Sequence, residues 1–203
     1  MSLLNDQIVE AIATTGCYVG ASVIDTALVI ALRGRLRFLH ARKSLHPAQV
    51  GRGRTLTSTT DWRGDAIAWL DKDALDPAEA RAMELINSLR DALNEALYIG
   101  AMDFEGHYAR YPRGAFYKTH LDRFGDHDLR VVSLIFYLNA HWHDDDGGEL
   151  QIHHPTGLIE RVLPRCDTMV AFLSDQFPHE VLPATRPRLA LSGWMRRRAL
   201  ASQ

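Results

Sequence analysis

The chain has 203 residues, of which 46% are hydrophobic and 24% charged. This length is enough for one domain with a full core and leaves little room for a second domain. Its 23 basic residues against 25 acidic ones give a net charge of −2, which argues against a nucleic-acid partner. Cys17 and Cys166 lack zinc-type spacing and a disulfide framework, so we expect free thiols. No secretory leader or apolar stretch of about 18 residues is present. We therefore expect a soluble, cytoplasmic monomer with no membrane partner.

Apolar residues at helical spacing predict two helices near the N-terminus. The first covers residues 3–14, with a stripe at Leu4, Ile8, Ala11 and Ile12. Gly16 ends this helix, and a short strand over 17–19 follows it. Asp25 is predicted to cap the second helix, which continues to about Arg42 with a stripe at Leu28, Leu32, Leu36 and Leu39.

A polar segment, residues 45–62, follows the second helix. Its proline, glycines and Thr/Ser run predict either a mobile connector or a loop that closes over a site. A strand over 66–70 comes next, and Asp76-Pro77 predicts the start of a third helix, with Glu79 placed to favour the helix dipole. The apolar stripe of this helix carries it to about residue 97.

From Tyr98 onward the pattern changes to short segments typical of β-strands. Such strands with turns between them predict a double-stranded β-helix, or jelly roll, with the preceding helices as support. The predicted fold is therefore α+β and a single domain over 1–203, with a mainly helical support over 1–97 and a jelly-roll core over 98–195. The predicted strands are 98–104, 107–111, 116–122, 129–138, 149–153, 158–163, 168–173, 179–182 and 188–195.

Three side chains in the strand region have the character of metal ligands. His120 and Asp122 are two residues apart, so on a strand they project from the same face, and His179 can join them from a distant strand of the same barrel. Two imidazoles and one carboxylate on one face of a metal are the ligand set of non-haem Fe(II) oxygenases. The remaining histidines have no such partners; His141 and His143 imitate a metal motif, but they lie in an acidic turn, where a solvated role is favoured.

Arg188, nine residues after His179, begins an alternating run in which Ala190, Ser192 and Trp194 share its face. A planar guanidinium can bind a carboxylate through two parallel hydrogen bonds. Since Ala190 and Ser192 are small, a slot remains for a five-carbon diacid such as 2-oxoglutarate.

Most of the chain resembles the 2-oxoglutarate- and iron-dependent prolyl hydroxylases, especially their soluble branch, which includes the oxygen-sensing enzymes of animals. The resemblance is carried by short matching stretches at 111–112, 117–122, 135–139, 147–152, 172–175, 178–181 and 188–190, and upstream by Arg63-Gly64-Asp65 through Trp69. It implies Fe(II) held by His120, Asp122 and His179, 2-oxoglutarate as cosubstrate, and ascorbate to keep the iron ferrous.

The resemblance also implies a reaction and a pocket. The reaction is hydroxylation of a proline in a protein substrate with O2, as 2-oxoglutarate is converted to succinate and carbon dioxide. Tyr137 would assist Arg188 at the far carboxylate, Tyr111 would lie beside the chelating end, and Trp194 would wall the iron pocket. Core packing is the alternative for each of these aromatic residues.

Substrate recognition is predicted from Asp65, Trp69 and Arg130, the matches that lie outside the iron ligands. We expect Asp65 and Arg130 to pair and to anchor the 45–62 loop over an extended polypeptide. Two alternatives stay open: a hydroxylase of the same superfamily acting on a free amino acid or another small molecule, and a jelly-roll module that binds a metal or metabolite without turnover.

Overall fold

The helices begin and end close to where the sequence predicts. In the computed structural model, which describes residues 2–49, 61–123 and 128–198, the helices are α1 (Leu3–Thr14), α2 (Thr26–Ala41) and α3 (Pro77–Leu97). Asp25 caps α2 by accepting a hydrogen bond from the backbone nitrogen of Leu28 at 2.8 Å. At α3, the Asp76 side chain and the Glu79 side chain form a reciprocal capping box.

Two antiparallel sheets follow, and their strands come from widely separated parts of the chain. The larger sheet has the order β1-β9-β6-β11-β4-β3-β2, and the smaller has the order β5-β10-β7-β8. The strands of the larger sheet are β1 (Cys17–Ala21), β2 (His46–Pro47), β3 (Ala66–Trp69), β4 (Asp103–Tyr111), β6 (Arg130–Tyr137), β9 (Thr168–Leu173) and β11 (Arg188–Arg196). Those of the smaller sheet are β5 (Tyr117–His120), β7 (Leu150–His153), β8 (Ile159–Val162) and β10 (His179–Val181).

The larger sheet is covered on both faces. On one face the helices bury their apolar stripes against residues such as Phe104, Leu134 and Leu191. On the other face, residues such as Tyr137 and Phe172 pack against the smaller sheet. A sheet buried on both sides needs apolar side chains at successive positions, which explains the nearly continuous hydrophobic run of β6. This arrangement of two facing antiparallel sheets with supporting helices confirms the predicted α+β jelly roll.

One predicted strand is wrong. The segment 98–104 was expected to be extended, but α3 ends at Tyr98 in the left-handed conformation (φ 54°), and Gly100 also has a positive φ of 70°. These two residues turn the chain, so β4 begins only at Asp103 and then continues without a break to Tyr111.

Most of the predicted 45–62 loop, residues 50–60, lies outside the described residues. Within the described ranges, no helix has the length and hydrophobicity needed to cross a lipid bilayer.

Candidate active site

The two histidines of the predicted ligand set meet across a pair of strands. β10 runs antiparallel to β5, and the register places His179 directly opposite His120. Residues opposite each other in an antiparallel pair have neighbouring side chains, so the two rings lie close, with centroids 4.2 Å apart. Asp122, two residues beyond the end of β5, completes the group: its carboxylate oxygens lie 3.7 Å from Nε2 of His120 and 3.7 Å from Nε2 of His179.

Backbone carbonyls fix the tautomer of both rings. Nδ1 of His120 lies 2.8 Å from the carbonyl oxygen of Lys118, and Nδ1 of His179 lies 2.9 Å from that of Phe177. Because a carbonyl oxygen only accepts, each Nδ1 must carry the proton and donate it. In a neutral ring the lone pair then lies on Nε2, the nitrogen that faces Asp122. Orientation of a ligating imidazole through its second nitrogen is the usual arrangement in metal sites.

Asp122 is held in its ionised form. The Ser133 hydroxyl donates to Oδ2 of Asp122 at 2.7 Å, and the Ser174 hydroxyl lies 2.9 Å from Ser133 Oγ. Burial opposes ionisation, but the neighbouring histidines and the Ser133 hydrogen bond lower the pKa of Asp122 below its ordinary value. Burial, which disfavours the charged imidazolium, lowers the pKa of His120. Both groups are thus in the state that a metal ligand requires.

These three residues fit a divalent metal. Their donor atoms, two imidazole nitrogens and one carboxylate oxygen, all lie within 4.8 Å of one another. His141 and His143 belong to no comparable group among the described residues. A face of two histidines and one carboxylate with open positions opposite suits Fe(II).

Arg188 lies in the same cavity and fits an anion. Its side chain is 2% exposed, and Nε donates to the carbonyl oxygen of Gly148 at 3.0 Å. Nη2 is buried without a hydrogen-bond partner, and no carboxylate in the described ranges forms an ion pair with this guanidinium. A buried cation without a counter-charge is costly. Arg188 therefore has the unused hydrogen-bonding capacity that a ligand carboxylate would satisfy.

Two tyrosines flank this guanidinium. The Arg188 Cζ atom lies 5.2 Å from the ring centre of Tyr111 and 5.0 Å from that of Tyr137. Burial raises the pKa of Tyr137 to about 12 and raises that of Tyr111 further, so both phenols are neutral donors at neutral pH. The Tyr137 hydroxyl makes no hydrogen bond of ordinary length among the described residues, but it lies close enough to Arg188 for the guanidinium to oppose the rise of its pKa.

A cavity of about 1310 Å³ connects these groups. Its wall contains the three candidate metal ligands and most of the other residues predicted for the site; Tyr137 and Asp65 do not line it. The predicted residues that line the cavity are His120, Asp122, His179, Arg188, Tyr111, Ser192, Trp194, Trp69 and Arg130.

The predicted pairing of Asp65 with Arg130 is wrong. Asp65 accepts two hydrogen bonds from Arg63, at 2.6 and 2.7 Å, and its side chain is fully buried. Residues i and i+2 of an extended segment project to the same side, which brings these two together. Arg130 instead lies 3.5 Å above the ring of Trp194 and donates to the backbone oxygen of Asp122 at 3.0 Å. Arg63, rather than Asp65, reaches the cavity.

Sequence reasoning missed His107 and the aromatic group around it. His107 is buried on β4 and lines the cavity, with its ring 4.9 Å from that of Trp69 and 5.4 Å from that of Trp194. His107 lies two residues before Ala109 and four before Tyr111 on one strand, so its side chain shares their inward face. The residues that contact it could not be identified without the strand order. Ser133 and Ser174 were missed for the same reason.

Residues 106–196 match the model of the 2OG-Fe(II) oxygenase superfamily. The chain is 32% identical over 144 residues to the hypoxia-inducible factor prolyl hydroxylase of Caenorhabditis elegans, an alignment that covers 66% of this chain and 20% of that protein. The chain thus spans about a fifth of the length of this curated relative.

Two solved structures cover almost the whole chain. A prolyl-4-hydroxylase of Pseudomonas putida superposes with a TM-score of 0.87 and 41% identity, covering 96% of this chain and 100% of that one. A prolyl hydroxylase from Trichoplax adhaerens, solved in complex with a peptide fragment of the hypoxia-inducible factor oxygen degradation domain, superposes with a TM-score of 0.88 and 27% identity. It covers 98% of this chain and 93% of the other.

Proposed function

Because the chain belongs to the 2OG-Fe(II) oxygenase superfamily, within its prolyl hydroxylase branch, we propose that it hydroxylates a prolyl residue of a protein. When bound, Fe(II) and 2-oxoglutarate supply the oxidising chemistry: one atom of O2 enters the proline C–H bond, the other enters succinate, and carbon dioxide leaves. Ascorbate keeps the iron ferrous between turnovers.

One observation carries the proposal: an unpaired, buried guanidinium lies in the same cavity as a two-histidine, one-carboxylate group. A metal-binding module without turnover needs the three ligands alone. Arg188, whose Nη2 is free of hydrogen bonds and which lines the cavity, adds a site for the distal carboxylate of 2-oxoglutarate, and the ring of Tyr137 lies 5.0 Å from its Cζ atom. This combination favours an oxygenase that uses a diacid over a simple metal binder.

The protein's own residues orient and shield the reacting groups. His120, Asp122 and His179 hold the metal, and Ser133 fixes the carboxylate of Asp122. Tyr111 and Ser192 line the same cavity as the metal ligands and Arg188. Burial of the ligand side chains excludes water, which strengthens each electrostatic contact inside the site.

A polypeptide is the substrate class that the cavity supports best. A volume of about 1310 Å³ exceeds the roughly 300–1,000 Å³ of ordinary small-molecule sites. Its outer wall carries Trp69, which is 53% exposed, and the Arg130–Trp194 stack, a surface suited to a proline ring and its flanking backbone.

Cys17 and Cys166 are free thiols, which supports placing the protein in the reducing cytoplasm.

Succinate formation tests the oxygenase assignment directly. The purified chain is incubated with Fe(II), ascorbate and 2-oxoglutarate, and succinate is measured by NMR with and without proline-containing peptides. We expect slow formation without peptide, acceleration by a suitable peptide, and complete loss in the presence of a chelator. Succinate formation that is absent under all of these conditions would contradict the proposal.

A further inference from the structure

A second group of metal-ligand side chains lies at the seam between the two sheets and shares no residue with the candidate active site. β1 is an outer strand of the larger sheet, and β8 is an outer strand of the smaller one. Cys17 begins β1, Glu160 lies on β8, and His154 lies in the turn between β7 and β8. Their ligand atoms, one sulfur, one imidazole nitrogen and one carboxylate oxygen, all lie within 4.8 Å of one another.

We propose that Cys17, His154 and Glu160 bind a zinc-class divalent metal that joins the edges of the two sheets. The proposal does not depend on the proposed function, because it shares no residue with the Fe(II) and 2-oxoglutarate site. A thiolate, an imidazole and a carboxylate are all ligands of zinc, and the soft sulfur favours zinc over magnesium or calcium. Three protein ligands leave the fourth tetrahedral position for water.

The geometry needs only small adjustments to hold the ion. Ligand atoms of a tetrahedral zinc site are about 3.3–3.6 Å apart, given bond lengths of roughly 2.0–2.3 Å. Nε2 of His154 lies 2.9 Å from Oε2 of Glu160, so these two atoms would separate by about 0.4 Å or more and exchange their hydrogen bond for bonds to the metal. The separations involving Cys17 are no greater than 4.8 Å, and the Glu160 side chain is 36% exposed and free to adjust.

The surroundings hold the histidine in place. Its backbone nitrogen donates to the carbonyl oxygen of Leu158 at 2.8 Å, and its carbonyl oxygen accepts from Gly157 at 2.9 Å, which closes the β7–β8 turn. The ring of His154 meets the ring of Phe177 edge-on, with centroids 5.3 Å apart. A turn closed at both ends and a packed ring reduce the entropy lost when a metal binds.

A divalent ion would bind the thiolate form of Cys17, with release of the thiol proton to solvent. No ladder hydrogen bonds join β1 to β8, which belong to different sheets, so the metal would supply a cross-link there.

Cobalt(II) substitution distinguishes this site from the candidate active site. A sulfur-to-cobalt charge-transfer absorption in the near ultraviolet requires a thiolate ligand, and the His120, Asp122 and His179 group contains no sulfur. We expect the band in the wild-type chain and in His179→Ala, and its loss in Cys17→Ala. Cys166→Ala is the matched control and should keep the band.

Two further variants leave the buried thiol in place. His154→Ala and Glu160→Gln should each weaken cobalt binding, measured by titration of the same band, by about tenfold or more. Both residues are partly exposed, so folding of these variants, checked by circular dichroism, should be preserved. A wild-type chain that shows no band, a band that persists in Cys17→Ala, or titrations unchanged in both other variants would overturn the proposal.

Discussion

Asp122 is the residue on which the proposed metal site depends most. It supplies the negative charge as well as one ligand, and both imidazoles face it at 3.7 Å. Asp122→Ala should therefore abolish succinate formation and reduce the bound iron, measured by metal analysis after dialysis. Asp145→Ala, in the exposed acidic turn, is the control and should behave as the wild-type chain does. Wild-type turnover in Asp122→Ala would show that the ligand assignment is wrong.

Arg188 should control the affinity for 2-oxoglutarate. Arg188→Met removes a buried donor of bidentate hydrogen bonds, so the concentration of 2-oxoglutarate needed for half-maximal turnover should rise about tenfold or more. Iron binding should be preserved, since Arg188 touches none of the three ligands. The matched control is Arg186→Met, because the Arg186 guanidinium hydrogen-bonds to the carbonyl oxygen of His141 and to Asp146 instead. Sensitivity at Arg186 and not at Arg188 would refute the assignment.

Ser133 should raise the affinity of the site for metal by orienting the carboxylate of Asp122. Ser133→Ala removes the 2.7 Å hydrogen bond that orients the carboxylate, and loss of such a partner typically weakens metal binding about tenfold or more. Titration with a divalent metal, with folding checked by circular dichroism, measures this effect. Ser174→Ala, whose hydroxyl contacts Ser133 and not Asp122, should have a smaller effect. Equal affinity in Ser133→Ala and the wild-type chain would contradict the orienting role.

At the residue scale, some functional side chains were predictable from the sequence and others were not. His120, Asp122 and Arg188 could be found because their spacing matches one chemical task. Ser133 and His107 could not, because each acquires its role from neighbours on distant strands. Asp65 was assigned the wrong partner because its own neighbour, Arg63, offers a closer guanidinium.

At the element scale, the helices support the fold without entering the chemistry. Gly34 is an exposed residue inside α2, and an added methyl group there would meet no atom within 4 Å. Gly34→Ala should therefore raise the free energy of unfolding by about 1 kcal/mol. Asp76→Ala removes the cap of α3 and should lower it by about 1 kcal/mol. Chemical denaturation measures both, and a change of the same sign in both variants would contradict the account.

Element boundaries were predictable where a single local signal dominates. The Asp25 and Asp76 caps fixed the starts of α2 and α3, because a side-chain acceptor at the N-cap acts within its own turn. The error at 98–104 arose because a left-handed tyrosine was not expected; Tyr98, at φ 54°, ends α3 and turns the chain. The predicted strands 98–104 and 107–111 leave a gap at 105–106, but β4 is continuous from Asp103 to Tyr111.

At the scale of the whole molecule, the larger sheet lies between the supporting helices and the candidate active site. Its outer face packs against the helices, and its inner face contributes Arg188, Tyr111 and Trp194 to the cavity. The smaller sheet contributes His120 and His179 from neighbouring strands. The site thus lies on paired strands within a core covered on both sides, which suits a site that must hold its groups in fixed positions.

The most direct test of prolyl hydroxylation uses isotopic oxygen. The purified chain is incubated with cell lysate, Fe(II), 2-oxoglutarate, ascorbate and heavy-isotope O2, and the proteins are searched by mass spectrometry. We predict a protein with one proline carrying a single heavy oxygen atom, present with the wild-type chain and absent with Asp122→Ala. Turnover of a free amino acid with no labelled proline in any protein would contradict the account.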